Sequence, residues 1–301
     1  MEYPLAVALA RSAPSLPTDE GWWFEPKLDG DRGVLWRHET VRIQTRSGRD
    51  ATSQWLDIAT AAMDLPPGTV LDGELVIWTD GRTDFGAVRA RASARGRRLA
   101  DLITRLPASY AAFDCVMMRG EDLRSQPYLE RRAALLEVLE PLGPPLQVVP
   151  ATDDLETARL WYDVLPEQGC EGVVAKRADG AYRPDRSWWK VRHTAPVDAV
   201  VVGYTGAPTR PKNLAVRLGD GRILLTRTLP AGQAAQVAPH LATATRTGSM
   251  RSALGEAYTG IDAGPVVEIE LGTTRHAVAA MHRVRSTSDM SDRSGPDPDG
   301  S

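Results

Sequence analysis

Apolar positions in the first two thirds of the chain come in short runs divided by glycine, proline and aspartate, a pattern of strands joined by turns. Trp22 to Glu25 and Gly33 to Trp36 read as strands on either side of an Asp-Gly turn, and Val41 to Arg46 completes a hairpin. Ser53 to Met63 has helical spacing with a serine at the cap position, and Pro66, Pro67 and Gly68 end it. Val70 to Trp78 reads as a strand interrupted by a second Asp-Gly. Asp84 to Ser93 looks helical, and Ser109 to Met118 is an apolar, buried strand. Leu129, Ala133, Leu136 and Leu139 share one face of a helix stopped at Pro141. A strand at Leu146 to Pro150, a helix at Asp153 to Leu165 and strands at Glu171 to Arg177 and Ser187 to His193 complete this part.

Composition changes between His193 and Asp198. Beyond it short β segments begin at Val197, Leu214, Arg222 and Val266, with a helix-like stretch after Pro230. Short strands of this kind with one inserted helix suit a small five-stranded barrel of the OB type. Residues 198–285 carry ten basic and six acidic side chains, a net +4, while the preceding part is acidic. The barrel is therefore the expected face for a polyanion backbone. The expected organisation is a leader loop over 1–20, a catalytic domain over 21–194, a barrel over 198–285 and a disordered tail over 286–301.

With 42% hydrophobic and 25% charged residues and a net charge of -3, the chain is of the soluble globular class. It contains no long apolar run, and its start lacks a basic n-region, which predicts a cytoplasmic protein. Cys115 and Cys170 stand apart from each other and from any histidine cluster, so they read as buried thiols rather than metal ligands. Lysine is the informative residue. Of 36 basic residues only Lys27, Lys176, Lys190 and Lys212 are lysine, leaving 32 arginines. Arginine cannot become a neutral nucleophile, so lysines kept in such a chain mark positions where an amine or a compact cation is needed.

Three of the four fall in segments that share a logic: Glu25 to Arg32, Thr45 to Asp50, Leu71 to Leu75, and Glu171 to Arg192. Each places charge at a strand end. A lysine beside an aspartate, two further lysines, and the carboxylates Glu74 and Glu171 are what attack by an amine on a nucleotide phosphate requires: a nucleophile, cations for the phosphate oxygens, and ligands for a divalent metal.

The string EPKLDGDR resembles the KxDGxR signature of the covalent nucleotidyltransferases, the superfamily of ATP-dependent DNA ligases, RNA ligases and mRNA capping enzymes. RSG, DGE, YAAFD, EGVVAK and WWKVR follow in the family's order. Within that superfamily, FDCVMMRGEDLRSQPYLERRAALL and DFGAVRAR are similar to the ATP-dependent DNA ligases, in a small bacterial form without an N-terminal DNA-binding domain. The resemblance implies an α+β fold: an ATP-grasp-like nucleotidyltransferase domain of antiparallel sheets followed by an OB-fold β-barrel, hinged near Thr194 to Val197. It implies a monomer that uses ATP with Mg2+ or Mn2+ and seals nicked double-stranded DNA. RNA ligase, GTP-dependent capping and nick binding without turnover are the alternatives.

By the same resemblance Lys27 becomes adenylated and Glu25 reads the adenine amino group. Arg32 and Arg46 contact the terminal phosphates or the DNA 5′-phosphate. Glu74 holds the ribose or a metal-bound water, Phe113 stacks on adenine, and Glu171 is a metal ligand. Lys176 touches the base or the phosphates, Trp188 backs the base pocket, and Lys190 contacts the α-phosphate. Arg192 stands where the family usually has a second lysine. Arg283 and Arg285 form the basic element that orients pyrophosphate and approaches DNA, with Asp289 displaced and no lysine following. Trp188 and Trp189 point to opposite faces of their strand. Lys212 reads as a solvated loop charge, and His193, His276 and His282 as surface or phosphate-facing groups. Arg89, Arg91, Arg95, Arg97 and Arg98 read as a solvated basic face.

Overall fold

The computed structural model describes residues 1–193, 196–252, 255–271 and 279–285. Thr194 and Ala195 of the expected hinge, His276, the side chain of His282 and the tail with Asp289 lie outside the described residues, while Pro196 and Val197 of that hinge begin a strand. The chain divides into two units, Met1–His193 and Thr194–Ser301.

Two sheets build the first unit. The smaller has the order Ala10–Ser12, Trp188–Arg192, Cys170–Arg177, Trp22–Leu28. The larger has the order Val41–Thr45, Asp31–Arg37, Thr69–Thr79, Ala108–Met118, Glu121–Asp122. Pairing is antiparallel except where Ala10–Ser12 runs along Trp188–Lys190 and Leu146–Val148 along Tyr110–Ala112. Phe24, Val173 and Ala175 on the outer face of the smaller sheet pack against Ala158 of the helix Leu155–Val164, which Asp154 caps. Leu35, Ile43, Leu71, Leu75 and Tyr110 on the outer face of the larger sheet pack against Trp55, Ile58, Leu135 and Val138 from helices. Between the sheets a third apolar cluster joins Val34, Trp36 and Val70 to Tyr182 and Trp188. Each sheet is thus buried on both faces, and the polar residues that point inward must find partners there.

Both Asp-Gly pairs behave differently from the turn reading. Asp29-Gly30 closes no hairpin, because the strand before it belongs to the smaller sheet and the strand after it to the larger. A side chain at Gly30 would lie 2.4 Å from the Leu75 carbonyl and 2.8 Å from Cγ of Glu74, so the crossing needs glycine. Asp72-Gly73 does not interrupt its strand, which runs unbroken from Thr69 to Thr79. The Tyr110 ring fills the space beside Gly73, and its hydroxyl donates to the carbonyls of Gly33 and Leu71 at 2.9 and 3.0 Å.

Other expectations are corrected by burial. The leader is not loop throughout: Ala10–Ser12 is a strand, and Leu5, Val7 and Ala8 are buried. The stretch from Thr52 is a 3-10 turn, a short helix Leu56–Ala61 and a second 3-10 turn, with Ser53 inside the first turn and no side-chain cap. The helix Tyr128–Leu139 buries Tyr128, Arg131, Leu135 and Val138 and leaves Leu129 and Leu136 exposed. A hydropathy count misplaces that face because two of its anchors are polar. The basic run is not one solvated face: Arg91 is fully buried, bonded to Asp57 and to the carbonyls of Gln54 and Leu106. Arg89, on the same helix Phe85–Ser93, pairs with Asp31 at 3.5 Å, and Arg95 caps a helix, Gly96–Arg105, that carries Arg97 and Arg98 and that the pattern did not predict.

In the second unit seven strands are described where five were expected: Pro196–Ala207, Arg210–Arg217, Ile223–Leu225, Arg246–Arg251, Ala257–Ile261, Val266–Glu270 and Ala280–Val284. The helix Ala231–Thr243 is inserted among them, giving an OB-like half-barrel. Its first strand pairs with Arg210–Arg217, Ala257–Ile261 and Val266–Glu270 in turn. Val201, Tyr204, Leu214, Val216, Val237 and Ile269 form its core. Every residue of Arg246–Arg251 is exposed, so no apolar alternation marks that strand in the sequence. Lys212 is exposed as expected, but on a strand rather than in a loop. Among the described residues no helix is long and apolar enough to cross a membrane.

Arg131 and Asp114 form a fully buried pair, with contacts of 2.7 and 3.0 Å. Arg131→Met takes both hydrogen bonds from Asp114, leaving it only Lys176 at 3.8 Å as a charge neighbour, and is expected to cost about 3–5 kcal/mol of stability, against within about 0.5 kcal/mol for Arg97→Ala on the exposed helix. Urea denaturation of the two variants checks the contrast.

Candidate active site

A cavity of about 570 Å3 opens between the two sheets. The smaller sheet contributes Glu25, Lys27, Val174, Lys176, Trp188, Lys190 and Arg192, and the larger contributes Asp31, Arg32, Thr45, Glu74 and Phe113, joined by Arg46 and Arg49 from the turn after Thr45. Strand alternation explains most of this set. Glu25 and Lys27 are two apart, as are Val174 and Lys176, and Trp188, Lys190 and Arg192, so each group faces one way while Phe24, Val173 and Trp189 face the other. Three of the four lysines therefore converge on one cavity.

Two residues reach the site through irregularities. Register along Cys170–Arg177 shifts between Cys170 and Gly172, and this bulge brings Glu171 to Lys27 although its position has the wrong parity. On Ala108–Met118 the partner of Asp72 is Asp114 and that of Gly73 is Ala112, so Phe113 is the extra residue of a second bulge. Its ring meets Trp188 edge-on, centroids 5.9 Å apart.

Lys27 Nζ lies 2.5 Å from Glu171 Oε2, and Arg192 Nε lies 3.6 Å from the same oxygen. Burial and the adjacent Glu171 carboxylate push Asp29 up to about 7. Burial works the same way on Glu171, but Lys27 and Arg192 outweigh it and hold that carboxyl below its usual range. Lys190 is lowered by burial and by the cations Arg192, Lys27 and Arg46. Glu74, on the opposite sheet, is pushed up to about 7 by burial against the counter-pull of Lys27 and Arg32.

Arg32 is held on three sides. Asp72 takes its Nε at 2.9 Å and also its Nη2, the Ala8 carbonyl takes Nη1 at 2.6 Å, and Tyr182 donates to the same Asp72 at 2.6 Å. Burial opposes the cation, but Asp72 more than offsets it. At the other end, Glu25 is buried against Lys176 and the Tyr128 hydroxyl. Lys176 is fully buried, with its ammonium on Glu25 and on the Phe113 carbonyl.

The structure places Arg283 and Arg285 on the second unit, where Arg285 pairs with Asp198 at 2.8 Å and Glu268 at 2.7 Å and Arg283 with Glu268 at 3.3 Å. His193 packs on the Tyr162 ring. Both cysteines are buried and their thiols are pushed up, Cys115 to about 12 and Cys170 to about 11. Asp72, Tyr182, Tyr128 and Ala8 escaped the sequence reading. Asp72 sits inside the DGE element and could have been marked; the two tyrosines and a backbone carbonyl carry no signal in sequence.

Two facing sheets followed by an OB-like half-barrel define the nucleotidyltransferase fold of ligases. The ligase domain of Mycobacterium tuberculosis LigD superposes with a TM-score of 0.54 at 24% identity, covering 93% of this chain and 95% of that one. A Lig E DNA ligase gives 0.61 at 16% identity, with 93% and 98% covered. Residues 5–192 match the family model of the ATP dependent DNA ligase domain, and the chain belongs to that family. DNA ligase C2 of Mycolicibacterium smegmatis is 37% identical over 204 residues, 67% of this chain and 57% of that protein. DNA ligase C of Mycobacterium tuberculosis is 36% identical over 211 residues, 67% and 58%. The chain thus spans somewhat more than half the length of these relatives.

The Glu74 carboxyl has a testable consequence. A group raised from 4.5 to about 7 stabilises the fold fully below 4.5, and this contribution is lost as pH rises through about 7. Glu74→Gln does not titrate, so it should flatten the fall of Tm between about pH 5 and about pH 8. Parallel melting curves for the two proteins would assign the effect elsewhere.

Proposed function

We propose that this chain seals 5′-phosphate/3′-hydroxyl nicks in duplex DNA through a lysyl-AMP intermediate on Lys27. The observation that carries the reading is the convergence of three of the four lysines, Lys27, Lys176 and Lys190, on one cavity in a chain with 32 arginines. One end of that cavity is aromatic and suits a base; the other, with Lys27, Lys190, Arg46 and Arg192, suits phosphates.

In the first step the Lys27 amine, once deprotonated, attacks the α-phosphorus of ATP. The N–P bond forms as the bond to the β-phosphate oxygen breaks, and pyrophosphate leaves. Lys190 and Arg192 lie where they can neutralise the α-phosphate oxygens. AMP then passes to the 5′-phosphate of the nick, with Arg32 and Arg46 as its contacts, and the 3′-hydroxyl displaces AMP. Asp72, Tyr182 and the Ala8 carbonyl hold Arg32 in one orientation before DNA arrives, which lowers the cost of ordering it. Arg283 and Arg285 are assigned to pyrophosphate and DNA from the second unit.

A divalent ion fits the phosphate end. Glu171 Oε2 is buried and ion-paired to Lys27 and Arg192, an oxygen that a metal would share with them, and no cluster of three or more His, Cys, Asp or Glu among the described residues would hold an ion alone. One or two carboxylates plus substrate phosphates is how Mg2+ is usually held, so Glu171 with Glu74 would suffice. Such an ion, Mg2+ or Mn2+, supplies Lewis acidity and charge neutralisation.

Incubation with ATP labelled at the α-phosphate should give an acid-labile, alkali-stable adenylate; labelled GTP should give none. Lys27→Arg should abolish the label, since guanidinium does not deprotonate near neutral pH. Label surviving on the arginine variant would place the nucleophile elsewhere.

Affinity for nicked DNA should fall steeply with salt, and Arg46→Ala should reduce the slope of log K against log salt by about one. Fluorescence anisotropy on a nicked duplex measures it; an unchanged slope removes Arg46 from the DNA contacts.

A further inference from the structure

The base end of the cavity rests on a closed polar cluster. Glu25 is buried, and its Oε1 accepts the Tyr128 hydroxyl at 2.6 Å and Lys176 Nζ at 3.0 Å, while its Oε2 lies 2.9 Å from the same ammonium. Lys176 also donates to the Phe113 carbonyl at 2.7 Å. Its ammonium sits 4.3 Å from the Trp188 ring centroid and 4.9 Å from those of Phe113 and Tyr128. Three N–H donors face the two carboxylate oxygens and one carbonyl, which leaves Lys176 no donor for a ligand.

Counting lone pairs on Glu25 shows what remains. Each carboxylate oxygen offers about two acceptor sites. Tyr128 and Lys176 fill those of Oε1, and Lys176 takes one on Oε2, so a single acceptor is open on a side chain that lines the cavity. An acceptor without a donor beside it suits a purine that presents an N–H at C6. A 6-keto purine would set its oxygen against the carboxylate, a repulsive contact in a buried site. Without the Tyr128 hydroxyl, Oε1 too would be open and the carboxylate could turn about its last bond.

Tyr128 is itself fixed. It starts the helix Tyr128–Leu139, and Arg131, one turn on, is tied to Asp114 and to the carbonyls of Gln126 and Gly180 at 2.7 and 2.8 Å. The hydroxyl therefore reaches Glu25 from a rigid element.

We propose that Tyr128 is a positioning residue for nucleotide choice: its hydroxyl locks Glu25 so that one acceptor faces the 6-amino group of adenine. This rests on the reading of the cavity as an ATP site, and it adds a residue that never touches the nucleotide.

The test is self-nucleotidylation of the full chain with ATP and with inosine triphosphate, which carries a 6-keto group, measuring kcat and KM for each. The unaltered protein should prefer ATP. Tyr128→Phe keeps the ring and removes one hydroxyl; it should narrow the ATP-to-ITP ratio of kcat/KM by about tenfold, chiefly through a higher KM for ATP. In a Glu25→Gln background the same change should have little further effect, because Tyr128 acts through Glu25. Tyr128→His, which returns a ring N–H donor, should recover part of the ratio and covers the case in which the phenylalanine chain folds poorly. A ratio in Tyr128→Phe equal to the unaltered protein's, or equal losses with and without Glu25, would overturn the role of Tyr128 and leave the ATP site standing. No uptake of ATP, or no preference for it over ITP in the unaltered protein, would overturn the underlying reading and this one with it.

Discussion

Charge can be drawn between two sheets only where each charge meets its opposite, and this constraint organises the first unit. Removing an ion from water costs several kcal/mol, which is recovered only by close pairing and further hydrogen bonds. The cleft meets the condition four times: Glu25 with Lys176, Asp72 with Arg32, Asp114 with Arg131, and Glu171 with Lys27. In the first three pairs neither partner is more than slightly exposed. Lys27 retains about a quarter of its exposure and lines the open cavity.

The pairs join elements far apart in sequence. Asp72 and Arg32 link neighbouring strands of the larger sheet, and Tyr182 and the Ala8 carbonyl bring in the loop before Trp188 and the leader. Glu25, on the smaller sheet, meets Tyr128 from a helix packed on the larger one. The apolar clusters on the outer faces supply most of the burial, but they would tolerate sliding. Directional pairs within each sheet, and hydrogen bonds between the two sides such as Lys176 to the Phe113 carbonyl and Tyr182 to Asp72, fix where each functional group stands, and the leader, which lines the cavity with Leu9 and Ala10, belongs to that arrangement.

Polar residues also act here as local determinants of shape. The helix Tyr128–Leu139 is oriented by a tyrosine hydroxyl and a buried arginine, and Phe85–Ser93 docks through Arg91, whose guanidinium lies 4.8 Å from the Trp55 ring centroid. In an arginine-rich chain some of the arginine works as core. The number of arginines therefore overstates how many cations the surface carries, since Arg32, Arg91 and Arg131 are paired inside the fold.

By itself the sequence determined the order of most elements, the presence of a sheet-rich domain followed by a small barrel, and the residues that gather at the cavity. Alternation with period two is a local property, so Glu25 with Lys27, or Trp188 with Lys190, could be placed on one face without coordinates. The lysine bias and the spacing of the charged motifs carried the rest. Tertiary structure alone decided that Asp29-Gly30 crosses between sheets, that Glu171 and Phe113 reach the site by bulges, and which face of Tyr128–Leu139 is buried. Those outcomes depend on register shifts and on ion pairs between residues from 17 to 151 positions apart, and no window along the chain contains both partners.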